Sequence, residues 1–221
     1  MNEQEIEKLK KIYNHWLDHD PTPAEQVGWS GMDDQTARFD QFVHLIRATA
    51  KTPAVSILDV GCGDGALLPY LHDNLPNHSI TYTGIDINPR YIARAKKQHA
   101  ALRPAPHFIT GDFETHHFDT RHDYVLCSGA YNVNVFADEE RTYTVFFAAL
   151  EKMISLATVA AAINFLCARE ANGLILTGQM FIYDKNKITS WCTTKNLRFD
   201  TIEGYDPFDT TIAVHTSVAS H

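Results

Sequence analysis

The first stretch of the chain repeats apolar side chains at helical spacing. Ile6, Leu9, Ile12, Tyr13, Trp16 and Leu17 recur on one face, while Glu7 and Lys11 form an i,i+4 pair. Asp20-Pro21-Thr22-Pro23 ends this helix and a loop containing VGWSGMDD follows. Phe39, Phe42, Val43 and Ile46 then mark a second helix that stops before Pro53. From residue 54 the pattern changes. Residues 55–60 are a short apolar run without alternation, as expected of a strand buried on both faces. A helix over 65–74 follows, with Pro69 tolerated near its start, and then a strand over 80–85. Asn88-Pro89 supplies a cap and a first helical position, and the helix it starts runs to about Leu102, before Arg103-Pro104. Strands over 107–110, 124–128 and 158–166 continue the alternation, with a helix over 138–155 between the last two. After a helix near 184–195, strands over 198–203 and 210–217 are joined by GYDPFD, too short for a parallel crossover. They pair as a hairpin. The prediction is an α/β fold: a Rossmann-like seven-stranded sheet, mostly parallel with one antiparallel C-terminal strand, and helices on both faces. Residues 1–53 form an N-terminal helical extension and residues 54–221 the core, within one compact domain.

Composition narrows the function. Apolar residues make up 44% of the chain, enough for a sizeable core. The net charge of −8 argues against nucleic acid as a partner, because attraction to phosphate is the main sequence-independent term in that binding. Arg94, Lys96 and Lys97 are the densest basic cluster and read as the wet face of a helix. Cys62, Cys127, Cys167 and Cys192 are far apart with no C-x-x-C pair, so neither a disulfide framework nor a zinc site is expected. The charged opening MNEQEIEKLKKIY lacks the apolar core of a signal peptide. Residues 154–168 are too short a greasy stretch to span a bilayer, which takes about 20 residues. The expectation is a cytoplasmic protein without a membrane partner, a monomer or homodimer. His116, His117 and His122 cluster, and His15 and His19 are four apart; they read as solvated histidines, and no metal site is expected.

Chemistry gathers at the ends of the strands. ILDVGCGDGALL, residues 57–68, turns through Gly61, Cys62, Gly63 and Gly65, where glycine lets a ligand approach the backbone. Such a turn alone also suits a nicotinamide or flavin protein. Asp59 and Asp64 decide between them: they would oppose a diphosphate at the helix N-terminus but favour S-adenosylmethionine (SAM), with its sulfonium and ammonium charges. Asp86 follows the second strand, placed to accept both ribose hydroxyls, and Ile87 would wall the adenine. Capping is the competing role for Asp86, and Asn88 is better placed for it. Asp112, after the third strand, would accept from the adenine amino group, with the Phe113 amide facing a ring nitrogen; a plain turn aspartate is the alternative. Ser128 and Gly129 end the fourth strand above the glycine turn. Tyr131, Asn132 and Asn134 follow at the expected mouth of the pocket, where asparagine would orient an acceptor or else simply hold the loop.

In this order and spacing, the four strand-end signatures resemble the class I SAM-dependent methyltransferases over residues 54–218. The resemblance places Asp59, Gly61, Gly63 and Gly65 beside the methionine part, Asp86 at the ribose and Asp112 at the adenine. VGWSGMDDQTARF, SGAYNVN and INFLCARE leading to FIYD are similar to a subgroup of small bacterial methyltransferases. By position, Trp29 and Arg38 would cover the SAM site from the N-terminal extension, Arg38 pairing with the cofactor carboxylate, and Tyr183 would close the acceptor side. The alternative is that Trp29 and Phe39 only fasten the N-terminal helices to the sheet. The resemblance implies methyl transfer to a small-molecule acceptor, releasing S-adenosylhomocysteine (SAH). Two alternatives stay open: cleavage of another C–S bond, with aminocarboxypropyl transfer or cyclisation releasing methylthioadenosine, and a non-catalytic SAM-binding protein. No N-P-P-Y element of the amino-group methylases is present.

Overall fold

The computed structural model describes residues 1–20, 22–28, 31–136, 138–167 and 179–216. The alternation begun at residue 54 forms one sheet of β1 (Ala54–Val60), β2 (Ser79–Asp86), β3 (His107–Thr110), β4 (His122–Ser128), β5 (Ala157–Leu166), β6 (Arg198–Ile202) and β7 (Asp209–His215). The order is β3-β2-β1-β4-β5-β7-β6. β1 to β5 pair in parallel, and β7 runs antiparallel to both β5 and β6, as the short link before it requires. The central strands are apolar without alternation because both their faces are covered. On one face lie α2 (Met32–Thr49), α3 (Leu67–Asn74) and α4 (Pro89–Gln98). On the other lie α5 (Glu139–Leu156) and α6 (Lys185–Thr194). α2 is a core helix, since Phe42 and Ile46 are fully buried against the sheet. α1 (Glu3–His19) does something different. Its apolar stripe of Leu9, Tyr13 and Trp16 packs on Ile87, Val133 and Val135, at the carboxyl ends of the strands. Among the described residues no helix is long and apolar enough to cross a membrane.

Several boundaries differ from the sequence reading for local reasons. α3 begins at Leu67 rather than residue 65 because the preceding residues are spent in the glycine turn. α4 ends at Gln98, and a turn closed by the Leu102 amide on the His99 carbonyl takes up the following residues. His122 is buried at the start of β4 rather than solvated, whereas the side chain of His117 is 88% exposed. Trp29, the ARE of INFLCARE and Ser217 lie outside the described residues.

Asn88 caps α4 as its sequence position predicts: the side chain accepts from the Arg90 amide at 3.0 Å and donates to Asn14 of α1 at 3.0 Å. Asn88→Ala is expected to cost about 1–2 kcal/mol, the usual worth of a cap with one further bond. Urea unfolding at constant m-value measures it.

Candidate functional site

The carboxyl ends of β1, β2 and β4 open onto a cleft of about 870 Å³. Its floor is the glycine turn, where the Gly61 and Cys62 amides donate to the Ile85 carbonyl at 2.9 and 3.1 Å and fasten the turn to β2. Gly61 has φ +70°, and a Cβ there would stand 2.3 Å from the Ala130 methyl, so the loop after β4 can close over the turn only at glycine. Three carboxylates face this end of the cleft: Asp59, Asp64 and Asp86, all under a tenth exposed. The Tyr82 hydroxyl donates to Asp59 at 2.5 Å, the Gly63 and Asn88 amides donate to Asp86 at 2.9 and 2.7 Å, and Arg94 pairs with Asp64 at 3.2 Å. Burial dominates the electrostatics. It pushes the Asp59 carboxyl up to about 7, against the Tyr82 bond and aided by the negative charge of Asp86. Burial likewise pushes Asp86 up to about 6, the two amide bonds opposing. Asp64 is also raised by burial, with Arg94 opposing.

Beside the turn a narrow apolar slot of about 70 Å³ lies among Ile87, Phe113, Val60 and Tyr131, with Asp112 at its rim. Leu9 and Tyr13 close it from α1. Lys152 holds the loop beyond Asp112 by donating to the Phe113, Glu114 and His116 carbonyls at 2.7, 3.1 and 2.7 Å.

In the other direction the cleft continues between α2 and the β6–β7 link, past Gln35, Arg38, Asp206 and Phe208. Arg38 forms a buried ion pair with Asp209 and donates to the Asp34 carbonyl at 2.7 Å. Burial pushes Asp209 up to about 7, with Arg38 opposing and the neighbouring Asp206 carboxyl adding to the rise. Below this pair, Ser128, Asn164 and Thr211 stand in register across β4, β5 and β7, on the sheet face that carries α2. The Asn164 amide donates to the Thr211 hydroxyl at 2.7 Å, and the Tyr205 hydroxyl meets the same oxygen at 2.8 Å.

Residues 57–153 match the model of a methyltransferase domain. Over this stretch the chain is similar to the SAM-dependent methyltransferases. Over 108 residues it is 41% identical to the phthiotriol/phenolphthiotriol dimycocerosates methyltransferase of Mycobacterium leprae (strain TN), covering 49% of this chain and 38% of that protein. The corresponding protein of Mycobacterium tuberculosis (strain H37Rv) is 27% identical over 108 residues, with the same coverages. These matches thus span well under half the length of the curated relatives. Among solved structures, the N-methyltransferase NodS of Bradyrhizobium japonicum WM9 with bound SAH superposes with a TM-score of 0.64 at 16% identity, covering 94% of this chain and 98% of that one. The magnesium protoporphyrin IX methyltransferase ChlM of Synechocystis PCC 6803, also with SAH, gives 0.60 at 18% identity, with coverages of 98% and 96%. At such identities the likeness establishes the fold.

The fold brings most of the residues singled out in the sequence to one place. Asp59, Gly61, Cys62, Gly63, Asp86, Ser128, Gly129, Asn132 and Arg38 line the cleft, and Ile87, Asp112 and Phe113 line the slot. Asp112 is also the turn aspartate of the alternative reading, accepting from the Glu114 amide at 3.0 Å. The three residues expected at the mouth part company. Tyr131 lines the slot instead, Asn132 spends its amide oxygen on the Leu166 amide at 3.1 Å, and Asn134 lies in a separate depression against α1. Tyr183 is buried in the aromatic core, its hydroxyl donating to the Tyr131 carbonyl at 2.6 Å, rather than bordering the acceptor side. Tyr13 and Trp16 were missed because their helical spacing reads as packing. Tyr82 and Asp209 were missed because no local motif marks them. In register Tyr82 lies two residues before Gly84, the partner of Asp59, and only that pairing signals the contact.

Proposed function

We propose that the protein transfers the methyl group of SAM to a small-molecule acceptor. The observation that carries this reading is the pairing of the acid-lined glycine turn with a cleft that runs on past it, leaving room for a second molecule. The residues suit SAM by their chemistry. Asp86 at the end of β2 would accept the ribose hydroxyls, and the slot between Ile87 and Phe113 would take a flat apolar ring, with Asp112 at its rim for an amino group. Asp59 and Asp64 offer negative charge for the ammonium and sulfonium end, where a diphosphate would be repelled. Bound SAM supplies an already activated methyl group, so the chain needs no nucleophile of its own. Its tasks are to orient an acceptor in line and to keep water out. Tyr13 and Trp16 of α1 cover the cofactor half, while Gln35 and Arg38 of α2 border the acceptor half. Arg38 lines the cleft from its seat on Asp209.

Calorimetry with SAM, SAH and NAD tests the cofactor half: micromolar binding of the first two and none of NAD is expected. Incubation with SAM and pooled metabolites, followed by mass spectrometry of the nucleoside product, tests the reaction. SAH is the expected product, whereas accumulation of methylthioadenosine would assign cleavage of a different C–S bond.

A further inference from the structure

Tyr82 is a tyrosine where the packing asks only for a phenylalanine. It is 3% exposed, in the cluster that holds Ile57, Leu68 and Phe108, and its ring meets Phe108 edge-on with centroids 5.8 Å apart. A phenol buried among apolar side chains costs stability unless its hydroxyl finds a partner. Among the described residues that partner is the Asp59 carboxylate, whose Oδ2 accepts at 2.5 Å. The register explains the meeting. β1 and β2 run parallel with Ile57 opposite Tyr82 and Asp59 opposite Gly84, so these side chains share one face of the sheet. Asp59 lines the cleft, and Tyr82 stands behind it in the core.

We propose that Tyr82 is a positioning residue: its hydroxyl holds Asp59 as a carboxylate aimed into the cleft, and so gives the site its preference for ligands that carry an α-ammonium group. This rests on the methyl-transfer reading, in which Asp59 meets the ammonium end of SAM. The surroundings of Asp59 supply no other support for its charge. Asp86 at the end of β2 and Asp64 in the turn are acids, and Cys62 of the turn and Cys127 of β4 are thiols that burial keeps protonated. Arg94, the basic residue nearest in the fold, is paired with Asp64 at 3.2 Å. Burial and the Asp86 charge both favour the protonated acid, and the Tyr82 hydroxyl opposes them by donating to the ionised form. A protonated Asp59 would offer an ammonium group a dipole in place of a charge. Ligands without that group would bind equally well to either form.

The test compares the parent with Tyr82→Phe, which keeps the ring and removes only the hydroxyl. Each is titrated by calorimetry with SAH, which carries the α-ammonium, and with methylthioadenosine, which shares the nucleoside and lacks it. At pH 7 the variant is expected to bind SAH about fivefold more weakly, and at pH 8.5 to come within about twofold of the parent, as for a carboxyl displaced upward by about one unit. Methylthioadenosine should bind parent and variant within about twofold at both pH values, which also reports that the variant is folded. In an Asp59→Asn background there is no charge to hold, so adding Tyr82→Phe should change SAH affinity by less than about twofold. Equal losses for the two ligands, a loss of SAH affinity that persists at pH 8.5, an unchanged SAH affinity at pH 7, or a further loss in the Asp59→Asn background overturns the proposal. Failure of the parent to bind SAH would instead overturn the methyl-transfer reading beneath it.

Discussion

Asp86→Ala is expected to weaken SAM binding about a hundredfold, roughly 2.7 kcal/mol. The carboxylate has about four lone-pair sites, and the Gly63 and Asn88 amides use two of them. The remaining two are what a ribose diol would take, and hydrogen bonds to a charged group are worth about 1.5–3 kcal/mol each. Alanine also strips the two amides of their acceptor, which loosens the glycine turn against β2. Asp86→Asn separates the two effects. Its amide oxygen can still hold one of the amides, and a loss nearer tenfold is expected. Calorimetric titration of both variants with SAM, beside circular dichroism to confirm folding, makes the comparison. A loss within twofold for the alanine variant would show that the ribose is bound elsewhere.

SAM affinity is expected to rise about tenfold between pH 5.5 and 7.5. The carboxyls of Asp59 and Asp86, pushed up to about 7 and about 6 by burial, are partly protonated in the lower half of that range. A cationic ligand binds the ionised site better, so binding releases protons. The same shifts act on stability in a definite direction. A carboxyl whose pKa in the folded chain exceeds its unfolded value makes the folded state bind more protons between those two values. Stability from these groups is therefore fully present below about pH 4 and is lost as pH rises through 6 and 7. Asp59→Asn should remove the Asp59 share of both behaviours. Without ligand it is expected to be about 1–2 kcal/mol more stable than the parent at pH 8, a fraction of the ~1.4 kcal/mol per pKa unit that full burial would imply. Its amide oxygen retains a place for the Tyr82 hydroxyl, while its SAM affinity should fall at least tenfold and lose much of its pH dependence. Titrations in buffers of different ionisation enthalpy count the protons released. Affinity that is flat or falling over this range would mean that the acids do not face the ligand's charge.

Both predictions concern a site that is stable only at some cost. Three buried carboxylates around one turn disfavour the folded chain, and they persist in a protein whose net charge is already −8. A bound cationic ligand would offset that cost, and it should stabilise the fold by mass action according to its concentration relative to its Kd.

The seven-stranded sheet, its reversed last strand and the glycine turn with its flanking acids were legible in the chain because each depends on short-range pattern. Unalternating apolar runs mark doubly covered strands, GYDPFD is too short to cross over, and G-x-G-x-G with Asp59 and Asp86 places a turn and two acids at adjacent strand ends. The Asn88 cap was legible for the same reason. The far end of the cleft was not. SGAYNVN reads as a pocket mouth, yet the chain turns so that Tyr131 joins the slot, Asn132 anchors the loop to β5 and Asn134 leaves the cleft. That end of the cleft is assembled from distant segments: Gln35 and Arg38 from α2, Leu166 from β5, and Asp206 and Phe208 from the β6–β7 link. Sequence by itself determined the fold and the end of the cleft built within single strand–turn–helix units. Only the tertiary structure decided which α1 side chains roof that end and which charges meet at the other, because packing across the carboxyl edge joins residues that no local spacing relates.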